Sequence, residues 1–355
     1  MSKKLNISAV LSNNDTAPET AKKSILKNYL INKHTEMKPL QPSIFIDDTW
    51  IGTEGEILMI SGEKKAGKSN ALVYMLATAL MKEVDTNQTL LIRTTHTTKD
   101  VVYIDTEQAR QQTKRFYERI CKIAEIEEPK NLFTYNIRKM EMEERLNFLQ
   151  DVFLEHSNAH LIVIDGITDF IDSVNNEEQS KKIIEKVLKL LENGTTMAMV
   201  IHEGKDGNGA RGHIGQEIER KCSGAISLSK DRAKGVHQVR CKLNRYTSDF
   251  EPYFFQWDKD LEGFRVLFDN EVKALETKSE ETKNAELHEV CKQMFATSIE
   301  LTKENVITGF LNYDKTIDKN SKIDSQKKKA RERLKKSLEL GFLNELENKN
   351  FTIVR

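Results

Sequence analysis

The strongest chemical pattern in this chain lies at residues 62–69, GEKKAGKS, which match G-x-x-x-x-G-K-[ST]. A β-rich run, EILMIS, precedes the match, and a helical run, NALVYMLATAL, follows it. Glycines let successive backbone N–H groups turn towards one point, and the helix that begins there adds the positive end of its dipole. The pattern predicts a loop that binds the phosphates of a nucleotide, rather than a glycine turn that merely leads into a helix.

The side chains of this loop are expected to have separate roles. Lys68 is placed to bridge β- and γ-phosphate oxygens, and the Ser69 hydroxyl to ligate Mg²⁺. ATP and Mg²⁺ are the predicted ligands, because no [NT]-K-x-D sequence for reading guanine follows the loop. The predicted nucleotide contacts are Gly62, Glu63, Lys64, Lys65, Ala66, Gly67, Lys68, Ser69 and Asn70.

Acidic side chains end two further β-rich runs. HLIVIDGITDF, residues 160–170, ends its strand at Asp165, where a carboxylate can hold the water bound to magnesium; a capping aspartate is the alternative. VVYIDTEQ, residues 101–108, carries Asp105 and Glu107, either of which could orient or deprotonate the attacking water. The pattern favours Glu107, and a bare pair of surface carboxylates is the alternative.

The elements that must position these residues alternate between strand and helix. Short apolar runs at 57–61, 101–105, 132–136, 161–165 and 197–202 are separated by helical stretches, which predicts a parallel sheet covered on both faces. After His202 the runs at 225–229, 236–243, 253–257 and 264–268 follow one another across short polar turns. We expect these four to be antiparallel strands at one edge of the sheet.

The order of the loop, the strand ending near Glu107 and the strand ending at Asp165 resembles the RecA/DnaB superfamily. The similarity covers residues 45–268 and is greatest to RepA-type hexameric helicases and RecA-fold ATPases of plasmids and mobile elements. The resemblance implies an α/β fold with a RecA-like P-loop core. It also implies that Glu107 is the catalytic base and that His202 is a sensor of the γ-phosphate, with an ordinary strand-end histidine as the alternative.

Two segments after His202 are also similar to that family. The glycine-rich loop at 203–213 could meet a phosphate backbone through Lys205, Arg211 and His213, or be an ordinary surface loop. VRCKLNRYTSD, residues 239–249, looks like the K-x-R-N-G segment that completes a neighbouring active site, with Lys242 in place and Arg245 one position late. Basic side chains that reach a neighbouring subunit's nucleotide in this way, called fingers, imply a homo-oligomer, a hexamer being one such ring.

The end of the chain is predicted to form a second unit. Residues 286–355 contain three helical runs and a two-stranded wing, an arrangement that resembles a winged helix and would add a small α+β domain. Between residues 322 and 336 the chain has eight basic and two acidic side chains, which suits contact with duplex DNA or, alternatively, a solvated helix face. The candidate DNA contacts are Lys327, Lys328, Lys329, Arg331 and Arg333. The predicted divisions are an arm at 1–42, the ATPase domain at 43–268, a charged linker or helix at 269–285 and this unit.

Composition restricts the remaining possibilities. Lys+Arg and Asp+Glu both number 55, so no overall field draws the chain to polyanions and any nucleic-acid contact must be local. No apolar run is long enough for a membrane span or a secretory signal, which predicts a cytoplasmic protein without a membrane partner. The four cysteines show no zinc or disulfide spacing.

Taken together, these patterns predict an oligomeric ATPase that works on DNA, as a helicase or as a replication or mobilisation accessory factor of a mobile element. A regulatory or signalling ATPase is the main alternative; its C-terminal unit would bind protein or operator DNA without unwinding. A small-molecule kinase fits less well, because Glu107 and the glycine-rich loop suit a hydrolase.

Overall fold

The computed structural model describes residues 29–86, 88–204, 210–317 and 323–354, with backbone alone at 314–317 and 323. The chain divides into two compact units, residues 1–41 and 42–355. In the described part of the first unit, a turn closes where the N–H of Thr35 donates to the Asn32 carbonyl at 3.0 Å. Residues 20–32 of the predicted arm have a sequence that permits a helix, but nearly all of them lie outside the described residues.

A nine-stranded sheet and a small three-stranded sheet account for most strands of the second unit. The strands are β1 (Pro42–Ile46), β2 (Thr49–Thr53), β3 (Ile57–Gly62), β4 (Ile92–Thr94), β5 (Val101–Asp105), β6 (Leu132–Asn136), β7 (Leu161–Asp165), β8 (Thr196–His202), β9 (Gly224–Asp231), β10 (Val236–Asn244), β11 (Tyr253–Asp258), β12 (Gly263–Val266), β13 (Leu343–Glu345) and β14 (Phe351–Ile353). The helices are α1 (Lys68–Leu80), α2 (Arg110–Ala124), α3 (Met142–Glu155), α4 (Glu177–Leu190), α5 (Gly212–Lys221), α6 (Asp269–Met294), α7 (Lys303–Ile317) and α8 (Ile323–Glu339).

The large sheet has the order β12-β11-β10-β9-β3-β8-β7-β5-β6. Its central strands β3, β8, β7, β5 and β6 are mutually parallel, which confirms the predicted parallel core. The strands β10, β11 and β12 continue the sheet in antiparallel pairs, as expected for one edge. The α/β fold with antiparallel strands at an edge is therefore confirmed.

The direction of β9 was predicted wrongly. It pairs with β3 in parallel, with Leu58 opposite Gly224 and Gly62 opposite Leu228, and the antiparallel series begins only at β10. Helix α5 lies between β8 and β9 and carries the chain back across the sheet, as a crossover between parallel strands requires. The first five residues of β9 are buried, which is typical of an inner parallel strand.

The two faces of the sheet carry separate apolar cores. Alternate residues of β3 face opposite ways, so Leu58 and Ile60 join one core whereas Ile57 and Met59 join the other. The helices α1 and α2 cover the first face, and α3, α4 and α5 cover the second. Helix α1 is buried along nearly its whole length, which fixes the position of the loop that precedes it.

The sheet register brings the predicted site residues to one edge. Gly62 at the end of β3 lies opposite His202 at the end of β8. Asp105 at the end of β5 lies opposite Asp165 at the end of β7. Because all four strands are parallel, their carboxyl ends meet at the same edge, where α/β proteins bind ligands.

The small sheet has the order β2-β1-β4 and was not predicted from the sequence. Its strands are short, β4 having only three residues, so each shows too little periodicity to be recognised. Ile44, Ile46 and Ile51 from this sheet are buried in the same core as α1.

Residues 269–354 form a helical unit with a β-hairpin and an apolar core of their own. Helix α6 is continuous through the segment expected to be a linker or helix. Its last turns contribute Leu287, Val290 and Cys291 to a core shared with α7, α8 and the hairpin β13-β14. The Thr302 hydroxyl accepts the N–H of Asn305 at 3.3 Å and so caps the start of α7. Across the described residues, no helix is long and apolar enough to cross a membrane.

Candidate nucleotide-binding site

The loop at residues 62–69 connects β3 directly to α1. Gly67 occupies the N-cap position of α1 with φ of +99°, a conformation that L side chains rarely adopt. A Cβ atom there would lie 2.7 Å from His237 Nδ1 and 3.0 Å from Phe255 Cζ. Only glycine fits, because the backbone conformation and the contact with the neighbouring strands both exclude a side chain.

Lys68 folds back over this loop. Its ammonium donates to the carbonyl oxygens of Gly62 at 2.8 Å and Glu63 at 2.7 Å, and Nζ lies 3.3 Å from His202 Nδ1. Burial lowers the pKa of Lys68, while the nearby carboxylates of Asp165 and Glu107 raise it. The ammonium is therefore held by neutral carbonyls that phosphate oxygens can replace with a stronger, charged partner.

Asp105 is fully engaged in shaping the turn after β5. Its Oδ1 accepts the N–H groups of Glu107 at 3.0 Å and Gln108 at 2.9 Å, and its Oδ2 accepts the Thr113 hydroxyl at 2.6 Å. The residue is 0% exposed. A carboxylate with both oxygens occupied by its own backbone and a helix side chain is poorly placed to take a proton from water, so the geometry favours Glu107 over Asp105 as the base.

Glu107 extends from that turn into the open site. Its side chain is 43% exposed, and its Oε1 lies 3.4 Å from His202 Nε2. The hydrogen bond with His202 lowers the pKa of Glu107, and this effect outweighs the opposing effect of burial. Gly166, with φ of +109°, leaves room for the side chain, since a Cβ there would lie 3.1 Å from Glu107 Cγ. Glu107 is therefore held as a carboxylate beside an open space.

His202 joins Lys68 and Glu107 through its two ring nitrogens. An ammonium has only donors, so Nδ1 must act as the acceptor for Lys68. The proton then lies on Nε2, which faces Glu107. One tautomer satisfies both contacts, so His202 couples the position of Lys68 to that of Glu107.

Asp165 is the most deeply buried carboxylate of this edge that faces the loop lysine. It is 8% exposed, and the Tyr103 hydroxyl donates to its Oδ2 at 2.9 Å. Burial, together with the neighbouring carboxylates Asp105 and Glu107, raises the pKa of Asp165 to about 6, although the Tyr103 hydrogen bond and the Lys68 ammonium oppose the shift. The Lys68 ammonium therefore compensates the burial of this carboxylate only in part.

That partly uncompensated charge fits a divalent cation. Ser69 stands in the first turn of α1, at the loop that would hold the phosphates. Among the residues that the structure describes, no group of three or more His, Cys, Asp or Glu could hold a metal ion without further ligands. Mg²⁺ usually keeps several waters and takes further ligands from substrate phosphates, and Asp165 and Ser69 are the side chains that would hold it here.

Lys242 and Arg245 are not brought to this site. Cys241 and Leu243, on either side of Lys242, pair with Ile226 and Ala225 of β9. Gly62 pairs with Leu228 of β9, so Lys242 lies further than the loop from the sheet edge that carries the site. Its Nζ is 3.6 Å from Glu219 Oε1, and Arg245 Nη2 donates to the Arg220 carbonyl at 2.5 Å. Neither side chain can therefore serve the nucleotide site of its own chain, and a role in a neighbour's site stays a prediction.

The candidate nucleic-acid contacts fall in two places. Arg211 is exposed and His213 partly exposed at the start of α5, whereas Lys205 lies outside the described residues. Lys327, Lys328, Lys329 and Arg331 are exposed on α8. Arg333 is partly buried, with its guanidinium carbon 5.0 Å from the ring centroid of Tyr313.

Sequence reasoning missed three residues that shape the site. Tyr103 was passed over as part of an apolar strand, although it shares a strand face with Asp105. Glu203, which accepts the hydroxyls of Ser61 at 3.1 Å and Ser227 at 2.5 Å, was taken as part of the glycine-rich loop. His237 lies too far along the chain from the loop for any local pattern to indicate its contact.

Comparison with known proteins gives one family match. Residues 38–208 match the family described as an AAA domain, a span that includes Lys68, Glu107, Asp165 and His202. A search of curated proteins gives no match. Among solved structures, a KaiC-like protein from the hyperthermophilic archaeon Pyrococcus horikoshii is similar at 17% identity and a TM-score of 0.42, over 61% of this chain and 90% of that one. Residues 38–208 are therefore similar to an AAA domain, and the observed loop and sheet order agree with a RecA-like P-loop fold.

Proposed function

We propose that this chain hydrolyses ATP with Mg²⁺ and couples the reaction to DNA. One observation carries the proposal: Lys68 and Glu107 meet through His202 at the sheet edge where Asp165 also ends its strand. These side chains come from three separate strand ends and a helix start, and they combine the charges that transfer of a γ-phosphoryl group to water requires.

The loop and Lys68 would bind the phosphates. Backbone N–H groups at the start of α1 would face the β-phosphate, and the Lys68 ammonium would exchange the carbonyls of Gly62 and Glu63 for phosphate oxygens. Ser69 and Asp165 would hold Mg²⁺, which neutralises charge on the phosphates during transfer. The buried Asp165 would gain the compensating charge that Lys68 supplies only in part.

Glu107 would act on the attacking water. It is ionised and open to the site, so it can orient the water and accept its proton. His202 holds the carboxylate on one side and contacts Lys68 on the other. Movement of Lys68 onto a γ-phosphate would therefore change the contact between His202 and Glu107, the base. A sensor of the γ-phosphate must transmit such a change.

The C-terminal unit supports the DNA part of the proposal. Ala330, Leu334 and Ser337 bury one face of α8, and this leaves Lys327, Lys328, Lys329 and Arg331 exposed on the rest of the helix. The three helices with the hairpin β13-β14 suit a winged-helix-like unit that would place α8 against a duplex. A helicase, or an accessory factor of replication or mobilisation, would use this unit to hold its DNA.

The positions of Lys242 and Arg245 support an oligomer. Both lie away from the nucleotide site of their own chain, near α5, and in the proposed oligomer they would complete the site of a neighbour. A homo-oligomer with one site at each interface, such as a hexameric ring, is the arrangement that we propose for these residues.

The test is ATP hydrolysis by the full chain with Mg²⁺, measured without DNA, with single-stranded DNA and with duplex DNA. Lys68→Ala is expected to abolish turnover, whereas Lys82→Ala, an exposed lysine just beyond α1, should leave it unchanged. DNA is expected to raise the rate. A rate indifferent to both forms of DNA would favour the regulatory ATPase, and hydrolysis that survives Lys68→Ala would refute the proposed activity.

A further inference from the structure

A histidine in the antiparallel part of the sheet forms a hydrogen bond to the backbone of the phosphate loop. His237 lies in β10, 4% exposed, and its Nδ1 is 2.8 Å from the carbonyl oxygen of Ala66. A carbonyl oxygen can only accept, so Nδ1 carries the proton and donates. The ring therefore binds the peptide group that joins Ala66 to Gly67.

The direction of that hydrogen bond sets the direction of a loop N–H. In a trans peptide the carbonyl oxygen points opposite to the N–H of the next residue. The Ala66 carbonyl points to β10, so the N–H of Gly67 points away from β10. Rotation of this peptide would instead turn an oxygen, with its partial negative charge, towards an incoming phosphate.

Aromatic packing fixes the imidazole in place. The ring stacks on Phe255 with centroids 4.8 Å apart and planes 11° apart, and it meets the edge of Phe264 at 5.6 Å. Burial lowers the pKa of His237, although the hydrogen bond to Ala66 opposes this, so the ring is an uncharged donor. The absence of a Gly67 side chain lets the ring approach the loop closely.

We propose that His237 is a positioning residue for nucleotide binding, which orients the Ala66–Gly67 peptide so that the Gly67 N–H faces the β-phosphate. The inference rests on the proposed function, because it concerns the same phosphate site. It assigns to β10, outside the span of the AAA-domain match, a part in binding ATP.

The test is the affinity of the full chain for a fluorescent ATP analogue with Mg²⁺, measured beside the melting temperature. His237→Phe keeps the stacked ring but loses the donor. His237→Asn places an amide donor where Nδ1 lies, and His237→Gln places one where Nε2 lies. The expected result is that the Phe and Gln variants bind roughly 5- to 30-fold more weakly, while the Asn variant stays within about 3-fold of the wild type.

Each outcome decides the inference. Wild-type affinity in His237→Phe, or an Asn variant as weak as the Gln variant, would overturn it. If His237→Phe melts far below the wild type, the Asn and Gln pair provides the comparison. Lys68→Ala separates the role of His237 from the nucleotide site itself. If Lys68→Ala loses binding while all three His237 variants bind normally, only the role of His237 is refuted. If the wild type does not bind, the nucleotide site itself is refuted.

Discussion

Oε1 of Glu107 lies 3.4 Å from Nε2 of His202, so the candidate base is held by a histidine from a different strand. The same imidazole meets Lys68 through its other nitrogen at 3.3 Å. The three residues form one chain of contacts from the loop at 62–69 to the candidate base. The contact that holds Glu107 therefore depends on the position of the Lys68 ammonium.

Replacement of His202 by Ala is expected to slow hydrolysis and to shift its pH dependence. The His202 hydrogen bond lowers the pKa of Glu107, so its loss raises that pKa. A base is inactive below its own pKa, and the acidic limb of the rate profile should therefore move to higher pH, with a fall in kcat of roughly 10- to 100-fold. Because the pKa of Glu107 lies below its ordinary value in the wild type, steady-state rates are measured from about pH 4 to 8; an unshifted limb would contradict the role of His202.

Replacement of Asp165 by Asn should stabilise the chain in the absence of nucleotide and metal. The pKa of Asp165 is about 6 when folded, against an ordinary value of 3.8, so folding favours the protonated form and this stabilisation is lost as pH rises from about 4 to 6. The amide has no such loss. Its advantage should grow across that window to at most roughly 2 to 3 kcal/mol above pH 6.

Denaturant titrations at pH 4, 5, 6 and 7 measure this difference. Tyr103→Phe, which removes only the hydroxyl bonded to Asp165, should have the opposite effect at pH 7 and destabilise the chain. An Asn variant less stable than the wild type at pH 7 would show that Asp165 is not an incompletely compensated buried charge.

Much of this site follows from the sequence because its signals are local. The loop, the strands ending at Asp105, Asp165 and His202, and the common edge all follow from short motifs and apolar runs. The choice between Asp105 and Glu107 does not, since it depends on which oxygens the backbone N–H groups occupy.

Other features depend on contacts distant in sequence. The direction of β9 depends on how α5 returns the chain, and β4 is too short to show a period. His237 is separated from Ala66 by 171 positions, so no pattern near either residue reveals their hydrogen bond. The sequence predicts the chemical groups, whereas packing determines which of them are free to react.

The basic face of α8 should determine the salt dependence of DNA binding. Changing Lys327, Lys328 and Lys329 together to Ala removes three exposed charges. The slope of log affinity against log salt should become shallower by about 2 to 3, because each phosphate contact contributes about 0.9. Fluorescence anisotropy with a labelled duplex measures the slope.

A matched control exists on α6, where Lys273, Lys278 and Lys283 are also exposed. Changing these three to Ala alters the net charge equally and should leave the slope nearly as in the wild type. Equal slopes for the two triple variants would mean that DNA binding depends on the overall charge of the chain and not on the face of α8.

Mixing two inactive variants tests whether Lys242 and Arg245 act in trans. The double variant Lys242→Ala, Arg245→Ala keeps its phosphate loop, and Lys68→Ala keeps its fingers. In a mixed ring, about a quarter of the interfaces from an equal mixture would have both parts intact, so about a quarter of wild-type activity should return. A mixture as inactive as its components would contradict the shared site.

The central claim is tested most directly by Glu107→Gln in a single-turnover experiment with radiolabelled ATP and Mg²⁺. Glutamine keeps the size of the side chain and a contact with His202, but it cannot accept a proton at neutral pH. The variant is expected to bind ATP with nearly wild-type affinity and to release phosphate at least about 100-fold more slowly. Hydrolysis at the wild-type rate, with ATP bound, would contradict the assignment of Glu107 and with it the proposed division of roles at this edge of the sheet.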